Sequence, residues 1–410
     1  MSDVYVIGVG MTQFGKMLDR SVKSLAHEAV EAALADAGAQ KRDVGAAFYA
    51  NTAQGELEGQ LMVGGQVVLR SMGFERIPIT NVENACASGS TAFHLAYAYI
   101  KAGLADVALA VGVDKLFHTD KAKSASVFNG AWDVHEVPAI TRTLDEIGAG
   151  VLPPPGRDLP GTKSVFMELY ASLAKAHMRT YGTTERQLAA VSAKNHHHSV
   201  VNDKSQYRMD MSIDDVLAAR MIAWPLTLPM CAPISDGAAA AILVSGEALR
   251  RFPGKEHAVK VLASVLASGS ERTIDEGDLH LCKVAADRAY EVAGFGPGDM
   301  SVAEVHDASA FAELLQTENL GFGERGQGGW LAERGETAIG GRIPVNPSGG
   351  LESKGHPIGA TGLGQIYELT HQLRGDARGQ VEGARLAIAE NGGGFYGVEE
   401  AAATVTILGR

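Results

Sequence analysis

The chain has 410 residues, 49 of them glycine and only 6% of them aromatic, which predicts two fused domains with tight turns and closely packed helices. The formal charge of −12, from 36 basic and 48 acidic residues without a block of like charge, argues against a nucleic-acid partner. No apolar run is long enough to span a membrane, and the three cysteines form no zinc or disulfide motif, which indicates a cytoplasmic protein without a bound metal.

The first segments alternate between strand and helix patterns, which is typical of a mostly parallel sheet covered by helices. Ser21 is the expected N-cap of the first helix, and Gly38 is its expected end. A dinucleotide-binding fingerprint is excluded because Gln13 stands where its last glycine is needed. Strands are predicted at residues 4–9, 44–50, 77–82 and 106–113, and helices at residues 21–37 and 59–72.

Cys86 stands among small residues where the strand at residues 77–82, which we expect to be buried, turns into a helix that ends near Gly103. The start of a helix offers unpaired N–H groups and a positive dipole end, which favour a thiolate over a thiol. The small neighbours leave room for a substrate to approach the sulfur. Cys86 is therefore a candidate nucleophile, and the alternative is a small buried hydrophobic residue.

The alternation of strands and helices breaks from residue 114 to about residue 230. This segment retains many apolar residues, including a predicted helix near residues 166–181, and therefore predicts an inserted loop domain rather than a linker. It also contains three adjacent histidines, residues 196–198. Because adjacent side chains on a helix do not converge on one ion, we expect a solvated surface run and no metal site.

The second half of the chain repeats the pattern of the first. A strand at residues 259–266 opens it, and a small-residue strand at 400–409 closes it, as a similar strand at 235–244 closes the first half. Further helices are predicted near residues 278–293, 308–320 and 359–373. We therefore predict two similar α/β halves, residues 1–250 with the insertion and residues 251–410.

Two histidines in the second half are placed for chemistry. His306 ends a predicted strand and precedes a helix, where α/β sheets bind ligands. The alternative for its neighbours Asp307 and Ser309 is that one of them is merely the helix N-cap. His356 lies between a glycine and a proline within the glycine-rich residues 346–362. A histidine fixed in this way is a candidate base or orienting group for a thiol.

The third polar stretch, residues 390–394, follows a predicted strand at residues 384–389 and reads Glu-Asn-Gly-Gly-Gly. Glycines leave backbone N–H groups accessible, and such groups can hold an oxyanion. The alternative is that the three glycines only make a tight turn.

Together these motifs resemble the thiolase superfamily, most closely the sterol-carrier-protein-type thiolases, over essentially the whole chain. The motifs are Cys-Ala-Ser-Gly at residues 86–89, His-Asp-Ala at 306–308, Gly-His-Pro at 355–357 and Asn-Gly-Gly-Gly at 391–394. The resemblance implies a duplicated five-layer αβαβα fold with an inserted loop domain that helps to bind coenzyme A. It also implies a homodimer and acyl transfer through an enzyme thioester, with coenzyme A as a substrate and no permanently bound cofactor.

The resemblance also implies a role for each matching residue. Cys86 would attack the acyl carbonyl, His356 would take the thiol proton, and His306 would hold the thioester oxygen of the second substrate. The backbone N–H groups of Cys86, Gly392 and Gly393 would donate to the oxyanion of the tetrahedral intermediate. The hydroxyl groups of Ser235 and Ser353 would bind coenzyme A.

The chain departs from the family at the second catalytic cysteine, which makes or quenches the substrate carbanion. The two positions at which the family places it hold Glu390 and Ala308, and neither Cys231 nor Cys282 lies in a matching motif. We hypothesise that Glu390 replaces it as the base, with a pKa raised by burial. The alternative is that Glu390 only makes hydrogen bonds within its loop.

Three functions compete at this point. The first is a coenzyme A-dependent C-acyltransferase that acts on an acyl-CoA or β-ketoacyl-CoA through Cys86. The second is a retro-aldolase of the same fold that cleaves acyl-CoA side chains. Retention of Cys86 and His356 argues against it, because a retro-aldol reaction needs no thiol. The third is a subunit that is active only with a small OB-fold, zinc-ribbon partner.

Overall fold

The computed structural model describes residues 2–155, 165–253 and 255–410, which form β-strands and α-helices in a mixed order. The strands are β1 Val4–Met11, β2 Ala46–Ala50, β3 Ile79–Val82, β4 Val107–Asp114, β5 Met221–Ala223, β6 Leu226–Thr227, β7 Gly237–Ser245, β8 Val259–Ser268, β9 Val302–Glu304, β10 Leu386–Gly393 and β11 Ala402–Gly409. The helices are α1 Val22–Ala37, α2 Gln54–Glu58, α3 Gly64–Ser71, α4 Ser88–Lys101, α5 Lys121–Ser126, α6 Val137–Ile147, α7 Val165–Tyr181, α8 Glu185–Ser199, α9 Ile213–Ala218, α10 Leu281–Ala293, α11 Ala310–Asn319, α12 Gly328–Glu333, α13 Gly350–Lys354 and α14 Thr361–Arg374.

The order of the strands shows the internal duplication. The main sheet runs β3-β2-β4-β7-β1-β8-β11-β10-β9. In the first half, β1 pairs antiparallel with β7, and β7 pairs antiparallel with β4. In the second half, β8 pairs antiparallel with β11, and β11 pairs antiparallel with β10. The next strand outward, β2 or β9, is parallel to its neighbour. Between the two half-sheets, the strand pairing among the described residues is limited to Tyr5 with Lys260 and Val6 with Val259.

Helices cover both faces of each half-sheet and give the five layers. Helices α4 and α14 contact each other and lie in the middle, where their apolar faces share one core with residues from both half-sheets. Helix α1 packs on the outer face of the first half-sheet, and α10 packs on the outer face of the second. The predicted α/β fold with five layers is therefore confirmed, and the exact division at residue 250 stays a prediction. The prediction of a mostly parallel sheet is wrong, because five of the eight described pairings in the main sheet are antiparallel.

Glycine makes the close packing of helix and sheet possible, as the composition predicts. A Cβ atom on Gly10 of β1 would lie 2.2 Å from the Ala29 carbonyl oxygen of α1. Likewise, a Cβ atom on Gly112 of β4 would lie 2.0 Å from the Gly359 carbonyl oxygen. Real atoms do not approach so closely, so these positions require glycine.

Two predictions about the first half need correction. The strand before Cys86 is not buried, because β3 is the edge strand of the sheet, and the side chains of Thr80 and Asn81 are exposed. The helix predicted at residues 59–72 is shorter, since it begins at Gly64 after the separate short helix α2. Helix α1 has the predicted caps, with Ser21 at its start and Gly38 in the left-handed conformation at its end.

The inserted segment folds over the second half of the molecule, where α7 and α8 contact α11. The prediction that residues 196–198 form a solvated run is wrong, because His196 and His198 are buried and only His197 is exposed. Helix α8 is covered on most of its surface, and its histidines donate to or accept from backbone groups of neighbouring loops. Among the described residues, the structure contains no helix that is long and apolar enough to cross a membrane.

Candidate active site

Cys86 lies in a tight turn between β3 and α4. Ala85 adopts the left-handed conformation with φ of 47°, which is strained for a residue with a side chain. The Ser88 hydroxyl stabilises the turn, because it accepts the Asn84 N–H at 2.8 Å and donates to the Ala85 carbonyl at 2.6 Å. The turn therefore holds Cys86 in a fixed position while part of the residue stays accessible.

His356 faces the thiol in a defined tautomer. The Thr361 hydroxyl donates to the Pro357 carbonyl at 3.1 Å, so its oxygen is left to accept the Nδ1–H of His356 at 2.6 Å. Nδ1 thus carries the ring proton, and Nε2 is an acceptor that lies 3.3 Å from Cys86 Sγ. The Ser235 hydroxyl, which accepts the His356 backbone N–H at 2.9 Å, holds the other end of the residue.

The thiol and the imidazole are both neutral at rest. Burial, followed by the Asp114 carboxylate, raises the pKa of Cys86 to about 12. Burial, followed by the neighbouring His306, lowers the pKa of His356 well below its ordinary value. The expectation that the helix start favours a resting thiolate is therefore wrong, because desolvation outweighs the backbone N–H groups. The arrangement instead allows His356 to take the proton while the sulfur attacks.

His306 lies beside this pair with both ring nitrogens free. Its ring meets that of His356 edge to face with centroids 5.3 Å apart, and nitrogens of both rings lie within 4.8 Å of Cys86 Sγ. The side chain is 2% exposed, and neither ring nitrogen has a hydrogen-bond partner among the residues that the structure describes. Burial lowers the pKa of His306 to about 4, so the ring is neutral. A buried polar group without a partner is costly, and the free nitrogens of His306 are available to a ligand bound next to Cys86.

Backbone N–H groups also face the sulfur. Hydrogen bonds from the N–H groups of Cys86 and Gly394 lower the pKa of the thiol and oppose the effect of burial. Gly393 lies directly behind the turn, since a Cβ atom there would be 2.2 Å from the Asn84 carbonyl oxygen. The Gly392 N–H instead hydrogen-bonds to the Glu390 carboxylate. The predicted oxyanion donors at Gly392 and Gly393 stay a prediction, and Gly394 is the glycine that contacts Cys86.

Glu390 is buried but directed away from the nucleophile. On β10, Glu390 and Asn391 point to opposite faces: Asn391 accepts from Ser90 of α4 at 2.8 Å, and Glu390 accepts from Cys282 of α10 at 3.2 Å. Its second oxygen accepts the His306 backbone N–H at 3.0 Å. Burial, followed by the Glu400 carboxylate, raises the pKa of Glu390 to about 8. The raised pKa agrees with the hypothesis, which stays a prediction. Glu390 lies on β10 rather than in a loop, and its partners are on α10 and at His306, so the alternative is corrected to hydrogen bonds between elements.

The two serines expected to bind coenzyme A are fully buried. Ser235 donates to Gln206 at 2.7 Å while it holds the His356 backbone, and Ser353 contacts His196, Ser199 and the Tyr207 carbonyl. Their proposed contact with coenzyme A stays a prediction, and the structure gives both hydroxyl groups other partners.

Sequence reasoning missed several residues that build the site. Thr361 sets the tautomer of His356, and Asp114 ties the loop that carries Gly359 to the end of β4 by accepting its N–H at 2.6 Å. A buried aspartate at the end of an apolar strand is a visible signal for such a residue. The helix N-cap at the His306 motif is Ser309, and Asp307 accepts the N–H groups of Leu351 and Glu352.

Comparison with known proteins agrees with this geometry. Residues 4–213 match the family model described as thiolase, N-terminal domain, and residues 271–410 match the one described as thiolase C-terminal domain-like. The chain is 39% identical over 404 residues to an acetyl-CoA acetyltransferase of Methanothermobacter thermautotrophicus, covering 97% of this chain and 98% of that one. It is 37% identical over 398 residues to sterol carrier protein 2 of Rattus norvegicus, covering 95% and 69%.

Solved structures share the fold at lower identity. The Ltp2-ChsH2(DUF35) aldolase superposes with a TM-score of 0.78 at 23% identity, covering 99% of this chain and 97% of that one. Human mitochondrial 3-ketoacyl-CoA thiolase in complex with CoA superposes with a TM-score of 0.69 at 16% identity, covering 100% and 98%. The sequence matches and the shared architecture establish that the chain belongs to the thiolase family and is an acyltransferase of the thiolase type.

Proposed function

We propose that the protein is a coenzyme A-dependent C-acyltransferase that carries its acyl group as a thioester on Cys86. The observation that supports this most directly is the Cys86–His356 pair, in which an unprotonated ring nitrogen lies 3.3 Å from the sulfur. Thr361 maintains that tautomer, and Cys86 as a residue is only partly buried. A thiol with a matched base and nearby backbone donors is the arrangement required for acyl transfer.

The first half-reaction follows from these contacts. His356 Nε2 takes the thiol proton as Sγ attacks the carbonyl carbon of an acyl-CoA. The backbone N–H groups of Cys86 and Gly394 hold the oxygen as it becomes negative. When the tetrahedral intermediate collapses, the bond to the coenzyme A sulfur breaks, and the leaving thiolate takes the proton back from His356. The products are the acyl-enzyme and free coenzyme A.

The second half-reaction uses His306. Its free ring nitrogens face the nucleophile, and a neutral imidazole can donate a hydrogen bond to the thioester oxygen of the acceptor. Such a bond stabilises the carbanion on the adjacent carbon as it forms. Glu390 is the base predicted from the sequence for this step, but its hydrogen bonds with Cys282 of α10 and with the His306 backbone favour a structural role on β10. In that case His356 Nε2, which has returned its proton to coenzyme A, takes the proton from the acceptor carbon. When the carbanion attacks the acyl-enzyme, the thioester bond to Cys86 breaks and the Cys86 thiolate takes that proton back from His356.

A carbon–carbon lyase is the second candidate function. The Ltp2-ChsH2(DUF35) aldolase has the same fold, although a likeness at 23% identity supports the fold alone. That structure pairs its thiolase-like chain with a DUF35 chain, so a partner subunit for the present chain is also proposed. A retro-aldol cleavage does not need the Cys86–His356 pair, which is why acyl transfer is preferred.

We also propose a homodimer. Strand β3 ends the sheet with a free edge, and Leu61 and Met62 nearby along the chain are 78% and 76% exposed. An unpaired edge and large exposed apolar side chains are features that a second chain commonly covers. Light scattering of the purified protein will give twice the chain mass of 43.0 kDa if the proposal holds.

The decisive experiment is intact-protein mass spectrometry after brief exposure to a panel of acyl-CoAs. We expect the wild type to gain the mass of one acyl group and Cys86→Ala to gain none. Cys231→Ala is the matched control, because Cys231 is a buried thiol whose sulfur donates to the Thr227 carbonyl, and its loss should leave acylation unchanged. An adduct that persists in Cys86→Ala, or no adduct from any donor, would refute the proposal. If no donor gives an adduct, the same panel is repeated with a co-expressed partner. That experiment tests whether the chain is a lyase or a subunit that needs a partner.

A further inference from the structure

A cavity of about 190 Å³ begins beside the reaction centre and runs outward to the surface. Gly394, whose N–H contacts Cys86, is part of its inner wall together with Tyr170 and Glu400. Helix α7 of the inserted segment forms one side, and helix α11 with the loop at residues 272–280 forms the other. The cavity is thus in a position to receive the acyl part of a substrate bound at Cys86.

The volume and the walls exclude a site built only for an acetyl group. A single water-sized group needs about 10–15 Å³ by this measure, so the cavity holds about a dozen such groups. Its lining includes the apolar side chains of Leu169, Leu173, Phe311, Leu315 and Phe395. An acyl chain of several carbon atoms fits this lining, because apolar walls favour apolar atoms and offer little to a polar chain.

Two arginines line the same cavity without a carboxylate partner among the described residues. Arg325, which is half-buried in the loop between α11 and α12, donates to the Asn319 side chain at 2.6 Å and to the Gly277 carbonyl. Arg179, in the last turn of α7, donates to the carbonyls of Ile147 and Ala149. These neutral partners orient the guanidinium groups and leave their charges uncompensated.

Most carboxylates of the cavity already have partners. Glu399 forms a buried ion pair with Arg272 at 2.6 Å, and Glu318 contacts His177 at 3.2 Å. Glu400 accepts from Gln316, and burial raises its pKa. Asp275 is exposed, and no ion pair of it is found in the part of the chain that the structure describes. A partly buried guanidinium without a counter-ion favours an anionic ligand.

We propose that this cavity selects acyl-CoAs whose acyl chain has an apolar middle and ends in a carboxylate, which Arg325 binds with support from Arg179. The substrate class is therefore the coenzyme A monothioesters of dicarboxylic acids. This inference rests on the proposed function, because it identifies the cavity as the acyl site of Cys86. The planar fork of Arg325 suits a carboxylate, which it can bind through two parallel hydrogen bonds.

The test measures binding separately from chemistry. Calorimetric titration of Cys86→Ala, which cannot be acylated, compares pairs of acyl-CoAs with four to ten carbons, each pair being one dicarboxylic and one monocarboxylic chain of equal length. We expect at least one dicarboxylic member to bind about ten-fold more tightly than its neutral match. Adding Arg325→Met should remove that preference, and Arg325→Lys should restore part of it. Arg288→Met is the matched control, since Arg288 is an exposed arginine on the outer helix α10.

Equal binding of both members of every pair would overturn the inference. The inference would also be overturned if Arg325→Met weakened the binding of dicarboxylic acyl-CoAs, monocarboxylic acyl-CoAs and free coenzyme A to the same extent. Arg325 would then bind a phosphate of coenzyme A. Failure of the proposed function has a different signature, because the wild type would form no acyl-enzyme while the difference in binding remained.

Discussion

Two groups of buried titratable side chains lie close to β10, and they differ in what their polar atoms contact. In the reaction centre, Cys86 and His356 face each other across 3.3 Å, and both ring nitrogens of His306 are free. In the second group, Glu390 accepts from Cys282 and from the His306 backbone N–H, so both of its oxygens have donors. Burial alters the pKa values in both groups.

The comparison teaches that a perturbed pKa alone does not identify a catalytic group. Desolvation acts on every buried titratable side chain, whatever its function. Free hydrogen-bonding atoms next to a reactive group are a second criterion, because the ring nitrogens of His306 have no partner among the described residues and lie close to the Cys86 thiol and the His356 ring. On this criterion, we expect His306 to take part in the reaction and Glu390 to belong to the framework behind it.

The largest effect is expected for His356→Ala, which removes the base from the reaction centre. A positioned general base contributes about 10²–10⁴ in rate, so acylation of Cys86 should slow about 1,000-fold. Quenched mass spectrometry of the acyl-enzyme measures the rate. Thermal unfolding of the variant checks that the fold is retained. A His356→Ala variant that folds and is acylated within ten-fold of the wild-type rate would contradict the role of His356 as the base. The cluster around Cys86 would then not differ in function from the cluster around Glu390.

A smaller effect is expected for Thr361→Val, which keeps His356 but removes the acceptor of its Nδ1–H. Acylation should slow about ten-fold. Because that hydrogen bond stabilises the imidazolium, the acidic limb of the pH profile of kcat/KM should move to lower pH. Thr361→Ser, which restores a hydroxyl group, should recover both the rate and the profile. A slower variant whose pH profile does not move would show that Thr361 acts only through packing.

The sequence was sufficient to predict the reaction centre because its residues lie in short motifs at the ends of strands and the starts of helices. Cys86, His306 and His356 come together as that pattern predicts. The burial of β3 and of residues 196–198 was not predictable, because each depends on what packs against it. Edge position in a sheet is decided by the strand order, and the histidines of α8 are covered by distant loops. The direction of Glu390 depends on its register on β10, where a shift of one residue reverses the face.

The smallest effect on acylation is expected for Glu390→Gln. This variant tests whether Glu390 takes part in the reaction or only supports the framework behind it. The rate of Cys86 acylation should stay within about three-fold of wild type. Among the hydrogen bonds described, the Glu390 carboxylate contacts neither the Cys86 thiol nor the rings of His306 and His356. Carbon–carbon bond formation and thiolysis should also stay within about three-fold. A loss of 100-fold or more in the rates of these two steps, with acylation unchanged, would establish Glu390 as the base. It would contradict the assignment of Glu390 to the framework.

The stability of the same variant gives an independent measure of Glu390. Its pKa is about 8 in the folded protein and about 4.5 in the unfolded chain, so folding binds a proton between these values. The favourable contribution of the neutral carboxyl group is complete below pH 4.5 and is lost as the pH rises through 8. The free energy of unfolding should therefore fall by about 1.4 kcal/mol per pH unit from this group across the interval. Glu390→Gln cannot titrate, so urea unfolding from pH 5 to pH 8 should show a shallower decline than in the wild type. Equal slopes would mean that the carboxylate is already ionised at neutral pH, as it would be in a solvated catalytic site rather than in a closed framework.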